Sequence, residues 1–110
     1  HINGIGADAA GKQELQTALT KSCKIVVDEW QQASHSGEIN IHVSRKKLKR
    51  QDINAELGEI VAGKKKGRTS DNEITLFDST GLAIQDVSTA YVVYQAFMNK
   101  QKKPKHIKLF

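Results

Sequence analysis

Three short apolar runs punctuate a mostly polar chain, and each has the length of a strand. They are His1–Ile5 (HINGI), Lys24–Asp28 (KIVVD) and Glu73–Phe77 (EITLF). KIVVD is rich in β-branched residues and does not alternate, the pattern of a strand covered on both faces. The other two alternate only in part, so their period alone leaves the assignment open. Helical periods lie between and after these runs. Gln13–Lys21 places Leu15 and Leu19 one turn apart, and Glu29–Ser36 predicts a short helix closed by Gly37. Asp52–Ala62 carries Ile53, Leu57, Ile60 and Val61 on one face, with Asp52 as its N-terminal cap and Gly63 as its stop. The longest helix is predicted over Ala83–Asn99, where Ile84, Val87, Tyr91, Tyr94 and Met98 form an apolar stripe and Asp86 sits in the first turn. Pro104 bars its continuation.

Gly37–Arg50 fits neither pattern cleanly. Ile39, Ile41 and Val43 alternate with polar residues, which allows a short strand or a loop crossing the sheet. The order is otherwise strand, helix, strand, helix, loop, helix, strand, helix. Such alternation predicts an α/β fold, a doubly wound parallel sheet of about three strands with flanking helices. Three strands are few for that architecture. The first has nothing before it to pair with, so the chain reads as one half of a doubly wound domain. Its open edge is expected to self-associate or to lie under the chain's own tail.

Length and composition narrow the picture. A chain of 110 residues makes one domain at most. With 38% hydrophobic residues, 26% charged and a single proline, disorder is excluded as the dominant state. No apolar run approaches the roughly 18 residues of a membrane span, and no secretory signal pattern opens the chain. Cys23 is the only cysteine, so an internal disulfide is impossible and a reducing, cytoplasmic setting is expected. A start at His1 rather than Met suggests a longer polypeptide. The net charge of +5 raises nucleic acid as a partner. However, the basic runs Arg45–Arg50, Lys64–Arg68 and Lys100–Lys108 have no interleaved aromatics to stack on bases. They read as solvated surface, with residues 100–110 a basic C-terminal tail. Neither a nucleic acid nor a membrane is expected as partner.

Two loops could carry chemistry. Gly4-Ile5-Gly6-Ala7-Asp8 follows the first strand, and Asp78-Ser79-Thr80-Gly81 follows the third. In parallel α/β sheets ligands bind outside the carboxyl ends of strands, and glycines there let a ligand approach the backbone. Asp8 would then project a carboxylate into the crevice, with Lys12 one turn on. The alternative is a tight turn in which Asp8 caps the next helix. The second loop can hold an amide or phosphate through its N–H groups and hydroxyls, or simply cap the last helix. Glu56 and Glu59, near Gly63 and Arg68, are a carboxylate pair on the polar face of a helix, a placement that points to solvent more than to acid–base work. The histidines and Cys23 show no metal-ligand spacing, so no metal is expected. Trp30 and the aromatics of the last helix are expected in the core.

The segments HINGIGADAAGKQEL, AELGEIVAGKKKGR and EITLFDSTGLAIQD, in that order, resemble the ornithine cyclodeaminase / mu-crystallin family, and within it the archaeal-type alanine dehydrogenase branch. The similarity runs from His1 to about Tyr94. It implies a partial Rossmann-like fold, with residues 1–99 as the C-terminal half of an NAD(P)-binding domain. It also implies an enzyme that oxidises an amino acid by hydride transfer from Cα to the nicotinamide of NAD or NADP. The resulting imine is hydrolysed in dehydrogenases and attacked by the side-chain amine in cyclodeaminases. By the same resemblance Asp8 is the catalytic acid, Gly4, Ile5, Gly6, Lys12 and Ser79 border the cofactor, and Thr80 lies beside a small amino-acid substrate. Ala10 stands where the family often has proline. The glycine-rich pyrophosphate loop is absent from the sequence, so the chain alone is expected to be inactive, and a homodimer is the expected assembly. The alternative is a non-catalytic binding protein on the same fold, like mu-crystallin; Asp8 argues for the enzyme.

Overall fold

The expected strands pair in parallel, and a fourth joins them. The computed structural model describes residues 1–99; the basic tail and Pro104 lie outside the described residues. In chain order the elements are β1 (Ile2–Gly4), α1 (Thr17–Ser22), β2 (Lys24–Val27), α2 (Trp30–Ser36), α3 (Asn40–Ser44), β3 (Ala55–Glu56), α4 (Leu57–Val61), β4 (Thr75–Asp78) and α5 (Ala83–Asn99). The sheet order is β1-β4-β2-β3, all parallel. In register, Ile2 and Ile25 flank Leu76, while Gly4 and Val27 flank Asp78. Ile25, Val27 and Leu76 are buried with Ala33, Ile39, Leu48 and Ile53, so α2, α3 and the segment after α3 cover this face. On the other face Val26 and Phe77 are only half-buried, so β2 is not fully covered on both sides as its composition suggested.

Four further expectations change. The predicted helix Asp52–Ala62 splits into a 3-10 turn (Arg50–Asp52), β3 and the short α4. Asn54 N–H donates to Ile25 C=O at 2.8 Å, which draws Ala55 alongside Val26 as sheet. Asp52 caps the 3-10 turn instead, accepting from Lys49 N–H at 2.7 Å, and Gly63 closes α4 as expected. Gly37–Arg50 is neither strand nor loop throughout. It contains α3, with Ile39 and His42 both fully buried. Helix α1 begins at Thr17, later than Gln13, because the backbone N–H groups of Glu14 and Leu15 are bound to Glu38 and the chain stays extended through Gln16. Finally, α5 has the expected bounds, but its apolar stripe is not core. Ile84, Val87, Tyr91, Tyr94 and Met98 are all at least half exposed, and no residue of the helix is buried. Trp30 is half-buried against the core.

The carboxyl end of the central strands is held by buried acids. Asp78 is fully buried, and its two carboxylate oxygens accept from Glu38 N–H at 2.9 Å and Ile39 N–H at 3.1 Å. Gly37 precedes this contact because nothing larger fits. A Cβ there would stand 2.6 Å from one Asp78 oxygen and 2.9 Å from its carboxyl carbon. Asp28 N–H donates to Asp78 C=O at 3.1 Å, and the Asp28 carboxylate accepts from Thr80 N–H at 2.5 Å and Gly81 N–H at 3.1 Å. Such multiple donors offset the large cost of burying a carboxylate.

Burial pushes the Asp78 carboxyl up to about 6, against the pull of the two amides and with Asp28 and Glu38 adding to the rise. A group that binds its proton more tightly when folded lends stability that is complete below the ordinary carboxylate value of about 4 and is lost as pH rises through the folded value. His42 acts in the opposite sense. Burial lowers its affinity for a proton, so its contribution is present above about 6.5 and is lost as pH falls. The two overlap, so the readout for Asp78 is the difference between variant and wild type. Urea titrations are expected to show Asp78→Asn gaining on wild type by on the order of 2 kcal/mol between about pH 4.5 and 7.5. A pH-independent difference would contradict this. In the same assay Gly37→Ala is expected to lose about 1–3 kcal/mol through the clash with Asp78. Gly58→Ala, in open space within α4, is expected to gain about 0.5–1 kcal/mol.

Candidate functional site

Parallel pairing of β1 with β4 places the loops after them side by side. Ser79 N–H donates to Gly4 C=O at 2.9 Å, so the two tips that the sequence singles out are bonded neighbours. Gly4 is buried between them, while Ile5 and Gly6 lie exposed at the rim, Ile5 at 67%. An exposed isoleucine and adjacent backbone groups at the carboxyl edge form a platform on which a flat ring can lie.

Asp8 stands on the loop beyond this rim. Its carboxylate pairs with Lys12 Nζ at 2.5 Å, and both side chains remain more than half exposed. The Lys12 bond and charge hold the Asp8 carboxyl below its usual range, so Asp8 is a carboxylate at neutral pH, with a second oxygen left to accept a hydrogen bond. It does not cap α1: that helix starts nine residues later, and its N-terminal residue Gln16 makes no side-chain cap bond. Ala7 is buried beside it as the loop's apolar peg.

Ser79 and Thr80 turn their hydroxyls inward. Thr80 Oγ1 donates to the Asp28 carboxylate at 3.0 Å, and Ser79 Oγ reaches it at 3.5 Å. Gln32 Nε2 donates to the carbonyls of Thr80 and Gly81 at 3.3 and 3.1 Å. The loop is therefore bonded at its hydroxyls, amides and carbonyls alike. What it can offer a ligand is the remaining acceptor capacity of the hydroxyls.

Glu56 and Glu59 have structural work. Glu59 accepts from Glu56 N–H at 3.0 Å, and Glu56 accepts from Trp30 N–H at 3.4 Å and pairs with Arg50 at 3.3 Å. The Glu56 amide holds the Glu59 carboxyl below its usual range. Among the described residues no three His, Cys, Asp or Glu converge to hold a metal. A cavity of about 280 Å³ opens on the other face of the sheet between Val26, Leu57, Ile60 and Phe77, and none of the rim residues lines it. The described helices include none long and apolar enough to cross a membrane.

Sequence reasoning missed three residues that shape this edge, Asp28, Glu38 and Asn40, and the buried role of Asp78. Asp28 and Asp78 each end an apolar strand with a carboxylate, a signal visible in KIVVD and TLFD. Glu38 and Asn40 had no comparable mark.

The ornithine cyclodeaminase/mu-crystallin family profile matches residues 1–101. Over all 110 residues the chain is 56% identical to alanine dehydrogenase of Archaeoglobus fulgidus, of which it covers 34%. Among solved structures, an archaeal alanine dehydrogenase dimer with bound NAD superposes with a TM-score of 0.86 at 55% identity, covering 100% of this chain and 34% of that one. The Thermococcus litoralis Δ1-pyrroline-2-carboxylate reductase, in complex with NADH and L-proline, gives 0.84 at 38% identity, covering 96% and 33%. The chain thus spans about a third of the length of the relatives it matches. Its parallel α/β sheet has the Rossmann-like form of these NAD-binding dehydrogenases, and the chain belongs to the ornithine cyclodeaminase/mu-crystallin family.

Proposed function

We propose that this chain is the C-terminal half of the NAD(P)-binding domain of a longer amino-acid dehydrogenase or cyclodeaminase, and that its β1–β4 rim forms one wall of the active site. The observation that carries this reading is the Ser79–Gly4 bond, which joins the Asp8 loop and the Ser79–Thr80 loop at one carboxyl edge. The identity to alanine dehydrogenase favours L-alanine as substrate, and the NAD and NADH in the two solved relatives favour NAD(H) over NADP(H).

The residues present fit the nicotinamide end of the cofactor and not its pyrophosphate. Gly4, Ile5 and Gly6 would border the ring, with the exposed Ile5 side chain giving an apolar surface. Lys12 and Ser79 would line the same edge, and Thr80 would lie beside the substrate. The bound cofactor supplies the acceptor for a hydride from the substrate Cα. Asp8, an exposed carboxylate, accepts the proton released from the substrate amine or from the water that attacks the imine. With no glycine-rich loop to hold the pyrophosphate, the chain by itself binds the cofactor poorly and does not turn over. The outer edge of β1 and the exposed apolar stripe of α5 are the surfaces through which it would meet the rest of the enzyme or a second copy.

The test is a chimera in which this chain replaces the matching segment of the Archaeoglobus fulgidus enzyme. The chimera is expected to reduce NAD with L-alanine, and Asp8→Asn is expected to lower kcat by about 100-fold or more. The isolated chain is expected to show no turnover. Unchanged turnover in the Asp8→Asn chimera would overturn the role of Asp8, and a chimera that binds NAD without turnover would instead support a non-catalytic binding protein.

A further inference from the structure

Among the described residues the Asp8 side chain bonds only Lys12, four residues on, so the course of the loop backbone decides where the carboxylate stands. The loop is secured from a corner 30 residues away in sequence, Gly37-Glu38-Ile39-Asn40, where α2 gives way to α3. We propose that Asn40 and Glu38 are positioning residues for Asp8, pinning its loop on the C-terminal side at Gly11, Lys12, Glu14 and Leu15. The proposal rests on the reading of Asp8 given above.

Asn40 is 4% exposed and spends its whole amide on this task. Its Oδ1 accepts from Gly11 N–H at 2.9 Å, and its Nδ2 donates to Lys12 C=O at 2.8 Å and to Gly37 C=O at 2.6 Å. The reversed amide would set donor against donor and acceptor against acceptor, so only this orientation satisfies all three. Gly11 can take part because it has a φ of +84°, a conformation that other residues adopt only with strain. One asparagine thus grips the residue three places after Asp8 and also the lysine that pairs with it.

Glu38 is fully buried and forms no ion pair among the described residues. Its carboxylate accepts from Glu14 N–H at 3.0 and 3.2 Å and from Leu15 N–H at 2.8 Å. Glu14 in turn reaches back to accept from Gly6 N–H at 3.0 Å, on the other side of Asp8. The loop is therefore tied before and after the catalytic carboxylate. The corner itself cannot drift. Asp78 holds the amides of Glu38 and Ile39, Ile39 is fully buried in the core, and Gly37 leaves no slack against Asp78. A buried carboxylate bonded only to backbone N–H groups is a costly way to close a loop. It yields a fixed loop geometry, and placing a reacting group to within a fraction of an ångström is what catalysis needs from it.

Two measurements test this. In the 15N-labelled chain, amide exchange at Gly11 is expected to speed up by about tenfold or more in Asn40→Ala, and exchange at Glu14 and Leu15 likewise in Glu38→Gln. The amides of Ile25 and Leu76 in the sheet should keep their protection, which separates loop release from unfolding. Glu38→Gln is nearly isosteric, so it remains informative if Asn40→Ala does not fold. In the chimera both variants are expected to lower kcat by about tenfold or more while the KM for NAD stays within about twofold. Asn54→Ala, which removes a loop bond to Lys66 C=O elsewhere, should change neither. Unchanged exchange at these amides, or unchanged kcat in the two variants while Asp8→Asn is inactive, overturns the positioning role alone. Full turnover in Asp8→Asn overturns the reading of Asp8 and the proposal with it.

Discussion

Asp78 is the point on which the carboxyl edge of the sheet depends. It ends β4, the strand between β1 and β2, and its carboxylate is buried where a hydrophobic residue would be ordinary. Through its side chain it holds the start of α3. Through its backbone it meets Asp28, whose own carboxylate gathers the amides and hydroxyls of the next loop. Two acids at the ends of adjacent strands thus divide the edge between them, one for each loop cluster. Both avoid the full penalty of buried charge by accepting several N–H bonds at once.

The same edge separates its aspartates by environment. Asp8 is exposed beside an ammonium group and stays ionised, whereas Asp78 is enclosed and holds its proton more tightly. An exposed carboxylate is free to meet a substrate; an enclosed one can only organise backbone. This division explains why residues of one type, four places or fewer from strand ends, do different work. The Lys12 contact contributes little to folding, as an exposed ion pair.

The remaining surfaces fit a segment that works within something larger. Helix α5 carries an apolar stripe that stays at least half exposed, and among the described residues β1 pairs on one side only. A stripe of valines and tyrosines at helical spacing is ordinarily buried, and relatives three times as long have the material to bury it.

What sequence alone determined here was local. Strands β2 and β4, the stop of α2 at Gly37 and the bounds of α5 follow from apolar period, a closing glycine and a first-turn acid, all set by neighbours within a turn or two. The two loops of interest were legible because glycines and acids after strands mark the carboxyl edge of a parallel sheet. The two-residue β3 was not, because Ile53, Leu57 and Ile60 satisfy a helical period and only the bond from Asn54 to Ile25 draws the chain into the sheet. Nor were Glu38 and Asn40, whose partners lie 23 to 29 residues away. A polar side chain carries no sign in sequence of which distant amide it will meet; only the packing of α3 against the sheet brings donor and acceptor within reach.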